Sequence, residues 1–223
     1  MSPKHEKIVL FANGELPKPK ALAKKLGDAD FLIAVDGGLN HMIPLNLEPD
    51  LIIGDLDSID EDTLQSYREK KTKIQKFPTD KDQNDLELAI QAALEMNPKT
   101  IWVVAALGNR IDQTLANIFL LTRDGLQGID THLVDGERDV FLIREQALLS
   151  GEQGQLVSLL PINGPAEGIT TQGLKYPLNN ETLCPDQTRG ISNRLTGTDA
   201  TITIDKGLLL CIHVTTTKNE RSG

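Results

Sequence analysis

Short apolar runs alternate with longer segments of helical periodicity in the first part of the chain. Runs of this kind are typical of strands buried on both faces of a parallel sheet. They lie at Ile8–Ala12, Phe31–Val35, Leu51–Ile53, Ile101–Ala105 and Thr131–Val134. The predicted helices between them are Pro17–Leu26, Asp60–Lys71, Asp85–Met96 and Asp112–Arg123. This alternation predicts a wound α/β domain with a mostly parallel sheet.

Past Asp135 the pattern changes to β-type runs separated by turn residues. These runs are Val140–Ile143, Gln155–Pro161, Gly168–Leu174, Ala200–Ile204 and Leu208–Val214. The last two flank Asp205-Lys206-Gly207, a short glycine-containing connection that predicts a hairpin between them. We expect this part to be an antiparallel sandwich or barrel, with a domain boundary near residues 135–150.

Composition narrows the range of partners and compartments. The 223 residues carry a net charge of −9, which would repel nucleic acid and anionic membranes. The two cysteines, Cys184 and Cys211, have neither the number nor the spacing of a disulfide framework or a zinc site. No stretch approaches the ~20 apolar residues of a membrane span, and the polar start Met1–Lys7 lacks a signal-peptide core. We expect a cytoplasmic protein.

Ligands of a parallel α/β sheet bind beyond the carboxyl ends of its strands, so the residues there are the first candidates for a site. Asp36-Gly37-Gly38 follows the second predicted strand, where the two glycines allow close approach of a phosphate or simply form a βα turn. Gly54-Asp55-Leu56-Asp57-Ser58 follows the third. Its two carboxylates suit Mg²⁺, although Asp57 or Ser58 could instead cap the next helix.

Two further segments carry polar groups into helix starts. Asp82 and Asp85 are spaced to share a face of a first helical turn, or they stabilise the helix dipole. In the next segment, Gly108 permits close approach of a ligand and Arg110 suits phosphate, unless it only pairs with Asp112. Together these residues point to phosphoryl or pyrophosphoryl transfer, and the chain has neither a P-loop nor a G-x-G-x-x-G motif.

The same segments, in the same order, resemble the thiamine pyrophosphokinase family. The matching segments are Val35–Gly38, Pro49–Asp50, Gly54–Ser58, Lys81–Asp85, Gly108–Asn117, Gly168–Thr171, Gly173–Leu178 and Gly190–Asn193. The resemblance implies an α/β domain for ATP at residues 1–138 and a β-sandwich for thiamine at residues 139–223. It also implies a homodimer with its thiamine sites between the subunits, and a reaction that gives thiamine diphosphate and AMP.

Roles follow from the resemblance position by position. It implies that Asp55, Asp57 and Asp85 bind Mg²⁺ and the ATP phosphates, and that Asp36 and Asp82 belong to the same acidic site. It also implies that Gly37, Gly38 and Gly108 contact the nucleotide, that Arg110 holds phosphate with Asp112 in support, and that Ser192 and Asn193 approach thiamine. The chain departs from the family pattern at Asn84, Gln113 and Arg194. Arg194 reverses a common acidic charge near the expected thiamine site and bears on the acceptor.

Two other functions fit part of this pattern. A haloacid-dehalogenase-like phosphatase would use Asp55 as nucleophile and Asp57 as acid and base, but it leaves Asp85, Arg110 and the β-rich region unexplained. A nucleotide or thiamine sensor would keep the fold without turnover. The joint presence of the carboxylates and Arg110 favours the enzyme.

Overall fold

The computed structural model describes residues 5–23 and 25–216; Lys24, inside the first predicted helix, lies outside the described residues. The chain forms two compact units, Met1–Gly136 and Glu137–Gly223. Each unit has its own buried hydrophobic cluster.

Parallel strands alternate with helices in unit 1. The strands are β1 (Lys7–Phe11), β2 (Phe31–Val35), β3 (Leu51–Gly54), β4 (Lys73–Lys76), β5 (Thr100–Val104) and β6 (Asp130–Val134). The helices are α1 (Pro19–Ala23), α2 (Leu39–Met42), α3 (Glu61–Glu69), α4 (Asp85–Leu94) and α5 (Ile111–Leu120), with 3-10 helices at Asp36–Gly38, Ile43–Leu45 and Asp124–Leu126. Within the unit the strand order is β6-β5-β1-β2-β3-β4, and every pairing is parallel.

The predicted elements of unit 1 are present, with differences that have local causes. Every residue of the central strand β1 is buried. The edge strand β4 reads Lys-Ile-Gln-Lys with exposed ends, so it has no apolar run from which it could be predicted. Helix α1 is shorter than predicted and begins at Pro19, whose fixed φ suits a first helical position.

Helix starts in unit 1 are set by side-chain caps. Asp60 accepts a hydrogen bond from Thr63 N at 2.8 Å and caps α3. Asn84 accepts one from Glu87 N at 2.8 Å and caps α4. Because Asp60 is the α3 cap, neither Asp57 nor Ser58 fills that role.

Unit 2 consists of two antiparallel sheets. Its strands are β7 (Arg138–Ile143), β8 (Gln146–Ser150), β9 (Leu156–Pro161), β10 (Ala166–Gln172), β11 (Glu181–Leu183), β12 (Asn193–Arg194), β13 (Asp199–Thr203) and β14 (Leu209–Val214). One sheet has the order β12-β9-β14-β7 and the other β11-β10-β13-β8. Residues of both sheets, including Val157 and Ile202, form one buried cluster, which makes the unit a β-sandwich.

The hairpin predicted around Asp205-Lys206-Gly207 is wrong. Strand β13 pairs with β8 and β10, whereas β14 pairs with β7 and β9 in the other sheet. The connection instead lies against Glu167, whose N–H donates to Lys206 O at 2.8 Å. A short connection between two apolar strands fits a crossover between sheets as well as it fits a hairpin.

The predicted fold class is confirmed: an N-terminal α/β unit with a mostly parallel sheet and a C-terminal antiparallel sandwich. Both cysteines are free. Among the described residues, no helix combines the length and apolarity that a membrane span requires.

Candidate active site

Two adjacent strands bring the first candidate carboxylates together. Strands β2 and β3 are paired with Val35 opposite Ile53, so Asp36 and Asp55 emerge from neighbouring strand ends. Asp57 follows two residues later and its N–H donates to Asp55 Oδ1 at 3.2 Å. One carboxylate oxygen each from Asp36, Asp55 and Asp57 lie within 4.8 Å of one another.

This group of three carboxylates, here called the aspartate cluster (Asp36, Asp55, Asp57), is organised by a hydroxyl. Ser58 Oγ lies 2.6 Å from Asp36 Oδ2 and 3.2 Å from Asp57 Oδ1. A hydroxyl has one proton to donate, so it relieves only part of the repulsion among the carboxylates. A bound cation would relieve the rest.

The backbone of the cluster is held in rarely populated conformations. Asp36 and Leu56 have φ of 47° and 65°, values that cost energy for residues with a side chain. Gly54 makes room for this geometry, because a Cβ at that position would lie 3.0 Å from Asp36 Cβ. Strain of this kind is concentrated at functional sites.

The cluster fits Mg²⁺ on its own chemistry. Asp36 Oδ1 is buried and has no hydrogen-bond partner, and such an oxygen is costly unless a ligand satisfies it. Mg²⁺ takes hard oxygen donors such as carboxylates and completes its shell with water and phosphate oxygens. The structure thus places Asp36, which was expected only as a neighbour of the metal, beside Asp55 and Asp57.

Asp85 lies at the start of α4 and faces the same cleft from another side. It is outside the aspartate cluster, and its Oδ1 lies 3.0 Å from Lys81 Nζ. That contact has the distance of an ion pair without the geometry of a hydrogen bond, since the same oxygen is buried and lacks a hydrogen-bond partner.

The expectation that Asp82 and Asp85 share a first helical turn is wrong. Helix α4 begins at Asp85, and Asp82 precedes it as an exposed residue of the loop. Asp82 belongs neither to the aspartate cluster nor to the lining of the cleft. The Asn84 cap fixes this start and leaves Asp82 outside the helix.

A cleft of about 440 Å³ opens beside these groups, within the size range of small-molecule sites. Its lining draws on the ends of β1, β2 and β5 and the starts of α4 and α5. The predicted site residues in this lining are Asp36, Asp85, Gly108 and Arg110. Asp36 connects the cleft to the aspartate cluster.

Sequence reasoning missed the residues after β1, which form one wall of the cleft. Asn13, Gly14 and Glu15 all line it. Gly14 N donates to Ala105 O at 2.7 Å, and a Cβ on Gly14 would lie 2.3 Å from that oxygen. The rule that ligands bind beyond strand ends applies to β1 as well and would have found them.

The three candidate glycines have different structural roles. Gly37 leaves room for the Asn13 side chain, which would otherwise lie 2.5 Å from a Cβ. Gly38 packs on the end of β1, where a Cβ would lie 1.8 Å from Phe11 O. A Cβ on Gly108 would meet Glu15 only at an ordinary 3.4 Å, so packing does not require glycine there.

Arg110 stands at the N-terminal end of α5 and pairs with Asp112 through two contacts. Its Nε donates to Asp112 Oδ1 at 2.9 Å and its Nη2 to Oδ2 at 2.6 Å. Hydrogen bonding to the guanidinium lowers the pKa of Asp112 to about 2, and the same contact raises the pKa of Arg110. Both side chains are exposed. The two hydrogen bonds from Arg110 to Asp112 orient the guanidinium at the rim of the cleft.

Polar side chains of α5 hold the loop that precedes it. Thr114 Oγ1 lies 3.1 Å from Gly108 N, and Asn117 Nδ2 donates to Ala106 O at 2.7 Å. Ala105, at the start of this loop, has φ of 55°. The loop beside Arg110 is therefore fixed by hydrogen bonds of the protein itself.

Ser192 and Asn193 lie in unit 2, where the buried Asn193 fixes a neighbouring loop. Its Oδ1 accepts from Tyr176 N at 2.9 Å and its Nδ2 donates to Tyr176 O at 2.7 Å. These bonds leave the Tyr176 side chain 52% exposed. Arg194 is also engaged within the unit, because its Nη1 donates to Gly154 O at 2.7 Å.

Comparison with known proteins adds to this geometry. The family model for the thiamin pyrophosphokinase catalytic domain matches residues 22–131. The family model for the thiamin pyrophosphokinase vitamin B1 binding domain matches residues 144–209. The first match covers the aspartate cluster and the second covers Asn193.

Individual relatives match most of the chain. Thiamine pyrophosphokinase of Bacillus subtilis (strain 168) is 31% identical over 185 residues, which is 82% of this chain and 86% of that protein. A crystal structure of thiamine pyrophosphokinase from Bacillus subtilis has a TM-score of 0.83 at 28% identity and covers 94% of this chain and 99% of that one. Thiamin pyrophosphokinase from Geobacillus thermodenitrificans, at 22% identity, shares the fold with a TM-score of 0.80, covering 95% of this chain and 99% of that one.

Proposed function

We propose that this chain, which belongs to the thiamine pyrophosphokinase family, transfers a pyrophosphoryl group from ATP to the hydroxyl of thiamine. The products are thiamine diphosphate and AMP. The observation that carries the proposal is the aspartate cluster beside a cleft of about 440 Å³, in a chain that matches both domains of the family.

Different residues of the cleft bind and orient ATP. The triphosphate lies along the wall formed by the end of β1 and the loop held by α5, and Arg110 binds its oxygens at the rim. The thiamine hydroxyl oxygen bonds to the β-phosphorus, the bond from that phosphorus to the AMP oxygen breaks, and the hydroxyl proton passes to solvent water. Arg110 neutralises charge that develops on the phosphate oxygens.

The carboxylates provide the metal site. Asp55 and Asp57, together with Asp36, hold Mg²⁺, and Asp85 completes the acidic set from the start of α4. When bound, Mg²⁺ supplies electrostatic stabilisation of the phosphate oxygens. Asp82 stays outside this set because it lies in the loop before α4.

Unit 2 provides the thiamine site in this proposal. Tyr176 and Ile191 are exposed, at 52% and 43%, and both lie within two residues of the Asn193 contact. An exposed aromatic ring and an exposed aliphatic side chain suit the flat thiamine rings. Asn193 acts through the loop that it fixes, because its side-chain amide is already bonded to Tyr176.

We further propose that the enzyme is a cytoplasmic homodimer with thiamine bound at the subunit interface. A stripe on α5 supports the dimer: Ile111, Leu115 and Phe119 are 73%, 49% and 51% exposed, and none of the α5 residues is buried. Their spacing places them on one face. Two copies related by a two-fold axis near Leu115 would pack this face against itself. Sedimentation of Leu115→Asp as a monomer, against a wild-type dimer, tests this interface.

The test of the function is product analysis with purified protein, thiamine, ATP and Mg²⁺. We expect equal amounts of thiamine diphosphate and AMP, and loss of both with EDTA or with Asp55→Asn. Binding of ATP and thiamine without AMP would favour the sensor instead. A trapped phosphoenzyme would favour the phosphatase.

A further inference from the structure

On the α4 side, Lys81 is the basic residue that forms an ion pair with a candidate carboxylate, Asp85, among the residues that the structure describes. Its Nζ lies 3.0 Å from Asp85 Oδ1 and donates to Pro78 O at 2.9 Å. The exposed fractions of the two paired side chains are only 16% and 25%. An ion pair that is largely removed from water is stronger than one on the surface.

The pair is not needed to start the helix. Asn84 already caps α4, and Lys81 lies before the first helical turn. Asp85 Oδ1 retains an unused hydrogen-bonding capacity although it is buried. A carboxylate that faces a ligand cleft, lacks a hydrogen bond and is balanced by a single ammonium group is arranged to exchange that partner for another cation.

The charge of the region determines whether a free cation or a metal-bound triphosphate is favoured as the new partner of Asp85. Within residues 5–23 and 25–216, the three carboxylates of the aspartate cluster receive a side-chain hydrogen bond only from the Ser58 hydroxyl. A fourth uncompensated carboxylate would increase its attraction for free divalent cations and its repulsion of a triphosphate. The Lys81 contact pairs Asp85, which lies outside the cluster.

We propose that Lys81 is a positioning residue that acts as the counter-ion of Asp85 until a metal-bound nucleotide arrives. It holds the Asp85 carboxylate away from the aspartate cluster, which lowers the affinity for free metal ions and favours entry of the metal together with ATP. This role rests on the proposed function, because it assumes that the cleft receives a nucleotide with its cation.

The experiment measures Mn²⁺ binding to nucleotide-free protein by the electron paramagnetic resonance signal of the free ion. Lys81→Met should bind Mn²⁺ about tenfold more tightly than wild type, because one positive charge beside the carboxylates is lost. The KM for ATP should rise in the same variant. A purely structural role would instead weaken both interactions together.

Three controls isolate the pair. Lys73→Met removes the same charge from an exposed position of β4 and should leave Mn²⁺ affinity unchanged, and Lys81→Arg should resemble wild type. In Lys81→Met/Asp85→Asn the tighter binding should vanish, since a double-mutant cycle isolates the coupling between the two residues. Wild-type or weaker Mn²⁺ binding by Lys81→Met, or enhancement that survives in the double variant, would overturn the proposal. Formation of thiamine diphosphate and AMP by the wild type is scored separately and tests the reaction alone.

Discussion

The carboxyl edge of the sheet in unit 1 and the Asn193 contact in unit 2 differ in whether their buried polar atoms have hydrogen-bond partners. At the edge, Asp36 Oδ1 is buried without a hydrogen bond, and Asp85 Oδ1, also buried without one, has the Lys81 ammonium group 3.0 Å away. In unit 2, both side-chain polar atoms of Asn193 are bonded to Tyr176. Buried groups in folded proteins are normally satisfied, so the Asp36 oxygen is open to a ligand whereas the Asn193 contact holds a loop in place.

This difference shows that polar residues in segments that resemble the family can have two roles, one in binding a ligand and one in holding the structure. Asp36 and Asn193 both belong to segments that resemble the family, and both are polar residues beside turns. One has an oxygen free for a cation, and the other has none to spare. Substitution at the edge should therefore cost activity, while substitution at Asn193 should cost stability.

The largest effect is expected at the aspartate cluster. Asp36→Asn should lower the rate of thiamine diphosphate formation about 10³-fold, which corresponds to roughly 4 kcal/mol of lost transition-state stabilisation. The fold should persist, because asparagine tolerates the positive φ of this position and removal of a charge relieves repulsion. Steady-state kinetics and the thermal midpoint measure the two quantities.

The matched control is Asp82→Asn, which removes a carboxylate from the exposed loop before α4. It should keep near-wild-type activity. Equal losses of activity in both variants would show that membership of the aspartate cluster does not determine the effect of removing a carboxylate.

The next effect concerns packing behind the cluster. Gly38→Ala should destabilise the protein by about 3 kcal/mol, because a Cβ there would lie 1.8 Å from Phe11 O and backbone would have to move. Gly108→Ala, whose Cβ would meet Glu15 at 3.4 Å, should change stability by less than about 0.5 kcal/mol. Urea unfolding of both variants measures the contrast, and similar stabilities would contradict it.

The sequence does not distinguish Gly38 from Gly108. Each follows a strand and precedes a helix, which is all that the pattern reports. What distinguishes them is the distance to a carbonyl of β1, a strand distant in sequence. Contacts of this kind depend on the strand order, which the alternation of elements does not specify.

The location of the site could be predicted from the sequence more completely than the set of residues that form it. Strand ends located Asp36, Asp55 and Arg110 correctly at one edge, because parallel strands share the direction of their carboxyl ends. The sequence did not show that Asp36 lies beside Asp55 and Asp57, since β2 and β3 are neighbours only in the folded sheet. Strand β4 was missed because an edge strand needs no apolar run.

The interior of unit 2 should respond through stability. Asn193→Ala leaves the Tyr176 N–H and C=O without their partners and should lower the free energy of unfolding by about 2 kcal/mol. Binding of ATP, measured by calorimetry, should be unchanged because the cleft lies in unit 1. Ser192→Ala, at an exposed neighbouring position, is the control and should unfold like wild type.

Loss of ATP binding by folded Asn193→Ala would contradict the assignment of Asn193 to loop stability alone, because the residue would then act on the nucleotide cleft. A Tyr176 loop that stays fixed without the amide, seen as wild-type stability, would show that the hydrogen bonds are dispensable. The expected outcome is a protein that binds ATP normally and unfolds at lower urea.

The smallest effect is expected at the cleft's rim, where the Arg110–Asp112 pair is exposed to solvent. The pKa of Asp112 is lowered from 3.8 to about 2 by the guanidinium, so the pair's contribution to stability is present above pH 3.8 and is lost as the pH falls towards 2. Screening keeps that contribution small. In Arg110→Met the pKa should return towards 3.8, so that between pH 5 and pH 3 the carboxyl carbon resonance of Asp112 titrates in the variant and hardly shifts in wild type. Equal titration in both proteins would mean that Asp112 does not hold Arg110 in solution, and the guanidinium would then reach the phosphates without a residue that orients it.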